Sequence, residues 1–256
     1  MTQVVLVHGG GHGSWCWEPM LAHLRTDVVA VDLPPVIVRS APGRLAQPPE
    51  LFDLTVVDFA TAVLDAADER GIDRFVLVGH SLGGLTIAAV AQRAPGRVAH
   101  LVFVSAAVPP EGGCVLDTLP DELRAMAKEA LDRAINERSL GGGAVLPEPM
   151  LRDMFCNDMD EVQTRFVLDR FGNEVVGVIG ERVSRAGIPP DLPKTFVKLS
   201  RDQSLPPPLQ DRLIGNLEAS PGGRVDVVEL NAGHDVMISR PELLAGALNR
   251  IAALPT

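Results

Sequence analysis

The sequence predicts an α/β protein, a mostly parallel sheet flanked by helices with a helical cap inserted late in it. Three observations lead there. Short β-branched runs recur along the chain, stretches of helical spacing lie between them, and the alternation is interrupted once by a long helix-rich segment. The runs fall at residues 4–7, 28–31, 75–78, 101–104, 195–199 and 225–230. Unbroken apolar runs of this kind fit strands buried on both faces, as in a parallel sheet.

Between the second and third runs, Leu54, Val57, Ala60, Thr61 and Leu64 repeat at helical spacing with Asp68 on the opposite face. After the third, residues 85–93 read as a helix stopped by Pro95-Gly96. From about Glu111 to Pro193 strand-like runs largely vanish, and helical patterns such as residues 121–138 take over. Gly141-Gly142-Gly143 and Pro147-Glu148-Pro149 punctuate this segment, and Ile188-Pro189-Pro190-Asp191-Leu192-Pro193 returns the chain to the sheet. The expected division is a core of residues 1–110 and 194–256 with a helical cap of residues 111–193. The segment reads either as a cap over the carboxyl ends of the strands, where open α/β sheets bind ligands, or as a helical subdomain without a gating role.

With 256 residues, 46% hydrophobic and 22% charged, the chain can bury one full core. Cys16, Cys114 and Cys156 are odd in number and far apart, which suggests neither a disulfide framework nor a zinc site. The formal net charge of -10, with no cluster of Lys or Arg to reverse it locally, argues against nucleic acid as a partner. Met1-Thr2-Gln3 leads at once into the first apolar run without a basic region or cleavage site, so a cytoplasmic location is expected. Every apolar run is too short to cross a bilayer, so no membrane association is expected.

The third run ends in Gly79-His80-Ser81-Leu82-Gly83-Gly84 and passes directly into a helix. A Gly-x-Ser-x-Gly between strand and helix makes a turn so tight that the positions flanking the serine must lack side chains, and it lifts Ser81 clear of the sheet as a nucleophile. The bland alternative is a glycine-rich turn that packs a helix close to a sheet. A serine hydroxyl needs a base to act at neutral pH. His234, after the last run across Asn231-Ala232-Gly233, is the only histidine late in the chain. The supporting acid should come between them in sequence, at the end of the penultimate strand, and Asp202 in Ser200-Arg201-Asp202-Gln203 fits. Asp191 precedes that strand, Asp226 lies within one, and Ser105-Ala106-Ala107 offers no carboxylate.

The first run ends in His8-Gly9-Gly10-Gly11-His12-Gly13, an exposed backbone suited to donating one oxyanion hydrogen bond. Gly10 N–H and Leu82 N–H are the expected oxyanion donors. No metal is expected, and His8, His12, His80 and His100 are read as structural or pocket-lining. His12 and His80, flanking the site, are with Gly9 the candidate substrate-contacting residues there.

These segments, with His8-Gly9-Gly10-Gly11-His12-Gly13-Ser14-Trp15-Cys16-Trp17, Asp202-Gln203-Ser204-Leu205-Pro206 and Gly233-His234, together resemble the plant methylesterase and hydroxynitrile lyase group of α/β-hydrolases over nearly the whole chain. The HG-x-x-HG-x-W-x-W opening is the most specific shared feature. The resemblance implies an α/β-hydrolase fold, a cofactor-free enzyme, and a possible homodimer. Lyases of the group carry a threonine after the first histidine of the opening and a lysine after the catalytic histidine. Here those positions are Gly9 and Asp235, which favours the esterase branch. Asp235 adds a carboxylate beside the base, able to repel an acidic substrate or act as a second acid. Asp32-Leu33-Pro34-Pro35 departs from the glycine-containing turn of many relatives, which implies a reshaped loop, and the chain has no tyrosine.

The expected function is hydrolysis of a small to medium-sized, uncharged carboxylic ester through an acyl-enzyme. Met154 and Phe155, with Met150, Met159 and Phe166, are candidates to line an apolar pocket or simply to form the core of the cap. Two other readings stay open, a cofactor-free lyase or biosynthetic cyclase on the same residues, and a non-catalytic ligand-sensing protein.

Overall fold

The computed structural model describes residues 1–34, 39–41, 44–45, 52–138, 146–172 and 176–255. Strands β1 (Gln3–Val7) and β2 (Val28–Val31) are followed by a short antiparallel pair, β3 (Arg39–Ala41) and β4 (Arg44–Leu45), then by β5 (Phe75–His80), β6 (Val98–Val104), β7 (Lys194–Leu199) and β8 (Asp226–Leu230). Six of them form one all-parallel sheet in the order β2-β1-β5-β6-β7-β8. Each of the six apolar runs in the sequence is one of these strands.

Because side chains alternate across a strand, β1 and β5 to β7 feed two cores. On one face Val5, Leu77, Phe103 and Phe196 pack with Val63 of α2 (Val56–Glu69), Ile87 of α3 (Gly83–Arg93) and Leu213 of α8 (Pro207–Glu218). On the other, Leu6, Val78, Val102 and Val197 meet Trp17, Met20 of α1 (Glu18–Leu21), Met237 of α9 (Val236–Ser239) and Leu244 of α10 (Pro241–Ala252). Full burial of each such side chain stabilises the fold by about 1.5–3 kcal/mol.

Burial on both faces does not extend to the edges of the sheet. Asp226, Val227 and Glu229 of β8 are exposed, and β2 alternates between buried and half-buried positions. An edge strand has a neighbour on one side only, and on β8 one face is left to solvent.

Among the described residues, four α-helices lie between β6 and β7, after a 3-10 turn at Val115–Thr118: α4 (Asp121–Glu137), α5 (Glu148–Phe155), α6 (Glu161–Leu168) and α7 (Val176–Gly180). Pro147 is the N-cap of α5 and Pro149 sits in its first turn, where a missing N–H costs nothing. Gly141-Gly142-Gly143 lies outside the described residues. Leu131 and Ile135 of α4 and Val178 of α7 rest on the first core, while Leu151 and Phe155 of α5 and Val167 of α6 rest on the second. The segment therefore straddles the sheet.

Its two ends are tied together. Gly112 N–H donates to Val183 O at 3.0 Å and Val183 N–H to Gly113 O at 2.9 Å. The buried Arg185 guanidinium donates to Pro109 O, Asn216 O and Ser220 Oγ. Among the described residues no helix is long and apolar enough to cross a membrane.

Candidate active site

The turn from β5 to α3 holds Ser81 at φ 51°, a left-handed conformation that costs a non-glycine residue about 1–2 kcal/mol. Three backbone hydrogen bonds hold it there: Ser81 N–H to Val104 O at 3.2 Å, Gly84 N–H to Ser81 O at 3.1 Å, and Ala107 N–H to Ser81 O at 2.8 Å. A Cβ on Gly79 would lie 2.7 Å from Gly83 O, and one on Gly83 would lie 2.8 Å from His8 O. Both obstacles are backbone, so only glycine fits either side of the serine. Ser81 stays half-buried at the end of the strand.

Asp202 and His234 sit on the turns after β7 and β8 and are fully buried. His234 Nδ1 is 2.7 Å from Asp202 Oδ2. A carboxylate only accepts, so Nδ1 carries the proton and Nε2 is left with a lone pair. That Nε2 is buried and has no hydrogen-bond partner. Asp202 Oδ2 also accepts from Ser105 Oγ at 2.6 Å, while Oδ1 accepts from Ser204 and Leu205 N–H, both at 2.8 Å. Ser105 carries no carboxylate, so the sequence does not mark it as the acid. Its signal is positional, a polar residue at the strand end beside Asp202, and it too has a positive φ, of 36°.

The glycine turn after β1 is shaped by its two histidines. His8 Nε2 accepts Leu33 N–H at 3.1 Å, so its Nδ1–H is the donor to Gly9 O at 2.8 Å. Burial pushes the His8 pKa down to about 4 and keeps the ring neutral. Since a trans peptide directs its N–H opposite to its carbonyl, this bond turns Gly10 N–H away from the His8 ring. Leu82 is the N-cap of α3, and a helix start leaves its first N–H groups without intrahelical partners. Gly10 and Leu82 both line one cavity, with Trp15, Asp32, Phe59 and Arg170, that is partly open to solvent.

His12 Nδ1 lies 2.8 Å from Gly10 O and its Nε2 2.9 Å from Asp235 Oδ2. Both ring nitrogens face acceptors, and only the doubly protonated ring donates to both. Burial alone would raise the Asp235 carboxyl, but the charge and hydrogen bond of His12, with His80 and His234 behind, hold it below the usual carboxylate value. Asp235 is therefore neither a surface repelling acidic substrates nor a spare acid, since it is fully buried and paired with His12. Trp15 stacks on the His12 ring at 5.3 Å, and Phe155 and Phe171 meet it edge-on at 5.7 and 5.2 Å.

His80 is fully buried and its Nε2–H donates to His234 O at 3.0 Å. Burial first, then the neighbouring His234, holds its pKa well below 6.5. Ligand atoms of His80, His234 and Asp235 fall within 4.8 Å of one another; His80 Nε2 donates to a carbonyl and Asp235 Oδ2 accepts from His12, while His80 Nδ1, His234 Nε2 and Asp235 Oδ1 have no hydrogen-bond partner among the described residues. A Cβ on Gly9 would stand 2.6 Å from Ser81 Cβ, which puts this glycine against the serine.

Phe155 packs against the His234 ring at 5.4 Å and Met154 against the second core, and neither is among the residues lining the cavity. Met150 is exposed and Phe166 meets Trp15 edge-on at 5.7 Å. The Cys156 thiol is pushed up to about 12, by burial first and the Asp235 charge second, so it is no rival nucleophile.

The turn between α5 and α6 reaches the acid and the base. Asn157 Nδ2–H donates to Arg201 O at 2.8 Å, one residue before Asp202, and Asp158 Oδ2 accepts Gly233 N–H at 2.8 Å, one residue before His234. Phe171 covers the glycine turn, and Gly172 N–H donates to Gly11 O at 2.6 Å.

A family model described as "Alpha/beta hydrolase family" matches residues 4–247. The chain is 31% identical to "Probable esterase PIR7A" of Oryza sativa subsp. indica, over 97% of this chain and 96% of the relative. It is 28% identical to "Carbendazim hydrolyzing esterase" of Nocardioides sp. (strain SG-4G), over 99% and 100% of the two chains. An extracellular alpha/beta-hydrolase from a Paenibacillus species shares the fold, with a TM-score of 0.78 at 22% identity and 98% of each chain covered.

Proposed function

The chain belongs to the alpha/beta hydrolase family, and from that premise we propose that it is a carboxylic ester hydrolase acting through Ser81, His234 and Asp202. The observation that carries this reading is the buried Asp202–His234 bond of 2.7 Å, which leaves Nε2 as an unpartnered base. His234 Nε2 takes the Ser81 proton as Oγ attacks the ester carbonyl, and Asp202 steadies the imidazolium that forms. Gly10 N–H and Leu82 N–H receive the oxyanion, each worth about 3 kcal/mol in such sites. Collapse expels the alcohol with the proton from His234, and water, activated by the same base, releases the acid.

Gly9 and Asp235 favour ester hydrolysis over lyase chemistry. At position 9 a side chain would run into Ser81 Cβ, and at position 235 the carboxylate turns to His12 instead of the substrate. The cavity suits a small to medium-sized ester, and its walls, where Asp32 and Arg170 stand among apolar groups, suit an uncharged one. Residues 111–193 act as a cap, since Phe155 and Phe171 lie over His12 and Phe155 reaches the base.

The test is hydrolysis of p-nitrophenyl and methyl esters by wild type and Ser81→Ala, with a fluorophosphonate label located by peptide mapping. Turnover lost in the variant and label on Ser81 support the reading. Neither turnover nor label in wild type overturns it, and ligand binding without turnover would then favour a sensor.

A further inference from the structure

The first histidine of the glycine turn fixes Gly9 O and accepts Leu33 N–H, whereas the second fixes Gly10 O and is tied to the loop of the base. Its partner Asp235 directly follows the base, 223 residues away in sequence. The chain of contacts thus runs from His234 through Asp235 and the His12 ring to the Gly10 carbonyl. The His12 and Asp235 side chains are 1% and 0% exposed, so neither is placed for solvent or for a surface role. A buried ion pair is a weak source of net stability, because desolvation offsets most of the attraction. What such a pair does well is fix relative position, since both groups are costly to leave unpaired.

We propose that the His12–Asp235 ion pair is a positioning device that holds the oxyanion turn in register with the loop carrying the base. The inference rests on the reading of Gly10 as an oxyanion donor. His12 grips Gly10 O, and with Gly9 O held by His8 the peptide bearing Gly10 N–H is fixed on both sides. Register matters because donors must meet the oxygen where charge develops, not where the ground-state carbonyl lies. Trp15 stacks its face on the ring, which suits a cation there.

The experiment compares wild type, Asp235→Ala and Asp235→Asn for kcat, KM, melting temperature and affinity for a trifluoromethyl ketone, which binds as an oxyanion adduct. Asp235→Ala is expected to lose about 10²-fold in kcat, the scale of one displaced oxyanion donor, with KM within about threefold. Ketone affinity should fall by the same factor. In Asp235→Asn the amide can donate to a neutral His12 Nε2 while Nδ1–H stays on Gly10 O, so most of the loss should be recovered. If Asp235→Ala does not fold, Asp235→Ser, too short to reach Nε2, takes its place with the same expectation.

Wild-type kcat in the Ala or Ser variant overturns the proposal, as does a loss carried by KM and melting temperature with ketone affinity unchanged. Wild type that neither turns over nor takes a fluorophosphonate label overturns the parent reading instead, and the pair's role falls with it.

Discussion

Replacing Asp202 by asparagine separates the acid's two duties, holding a tautomer and satisfying buried donors. Oδ1 accepts two backbone N–H groups, from Ser204 and Leu205, and an amide oxygen can accept both. The amide NH2 then faces His234 Nδ1, where the carboxylate had accepted. An NH2 can only donate, so Nδ1 must give up its proton and Nε2 must carry one, which leaves Ser81 without a base. The expected loss is about 10⁴-fold in kcat, or roughly 5.5 kcal/mol of barrier. Stability should change far less, because the backbone donors keep their acceptor.

Asp202→Ala should behave differently. It orphans two part-buried N–H groups, the buried Ser105 hydroxyl and the buried His234 Nδ1–H, each costing up to about 1–3 kcal/mol, so it should lose several kcal/mol of stability along with activity. Steady-state kinetics on a p-nitrophenyl ester and urea unfolding of both variants make the comparison. The reasoning fails if Asp202→Asn retains more than about a tenth of wild-type kcat, or if it unfolds as readily as Asp202→Ala.

Gly9→Ala places a methyl 2.6 Å from Ser81 Cβ and should lower kcat at least about tenfold, at a cost of about 1–3 kcal/mol in unfolding experiments. Ser105→Ala removes one of two donors to Asp202 Oδ2 but leaves His234 in place, so urea unfolding should show a loss of about 1.5–3 kcal/mol with kcat reduced much less. Acid should destabilise the fold through His8, whose pKa is about 4 when folded against 6.5 for a free ring. Between those values the unfolded chain binds the proton and the folded chain does not, so stability falls as pH drops through that window. The loss is about 3 kcal/mol by pH 4. His100, also held at about 4 by burial, adds to it. Unfolding midpoints that stay flat from pH 7 to 4 would contradict this. Asp158→Ala deprives Gly233 N–H of its acceptor and should cost about 1–3 kcal/mol, with a lower kcat, read by calorimetry and ester hydrolysis side by side.

The sheet was legible because parallel strands covered on both faces become unbroken apolar runs, and the loops after them follow from the strand ends. Ser81 was legible because its turn demands glycine at 79 and 83 for local steric reasons, and local requirements are written in adjacent letters. The exposure of β8 was not, since Val227 reads like any buried valine until its place at the sheet edge is known. The same holds for Asp235, whose partner is 223 residues away and whose direction depends on the short helix α9 that follows it. Met154 and Phe155 show the limit of composition. Apolar residues on a helix face tell only that something is covered, and here Phe155 covers the His234 ring and not the cavity wall.

The Asn157–Asp158 turn bears on how this scaffold can change. Helical insertions over α/β sheets are commonly treated as exchangeable modules that diversify substrate range while the core stays constant. Here the insertion supplies the acceptor for Gly233 N–H and the donor for Arg201 O, and Gly233 has no room for a side chain because Asn157 and Asp158 crowd it. A transplanted segment lacking that turn would unfasten the loops of the acid and the base together. Variation that leaves the chemistry intact has its freedom on the α4 and α7 side, and a designer exchanging the rest would carry Asn157 and Asp158 along.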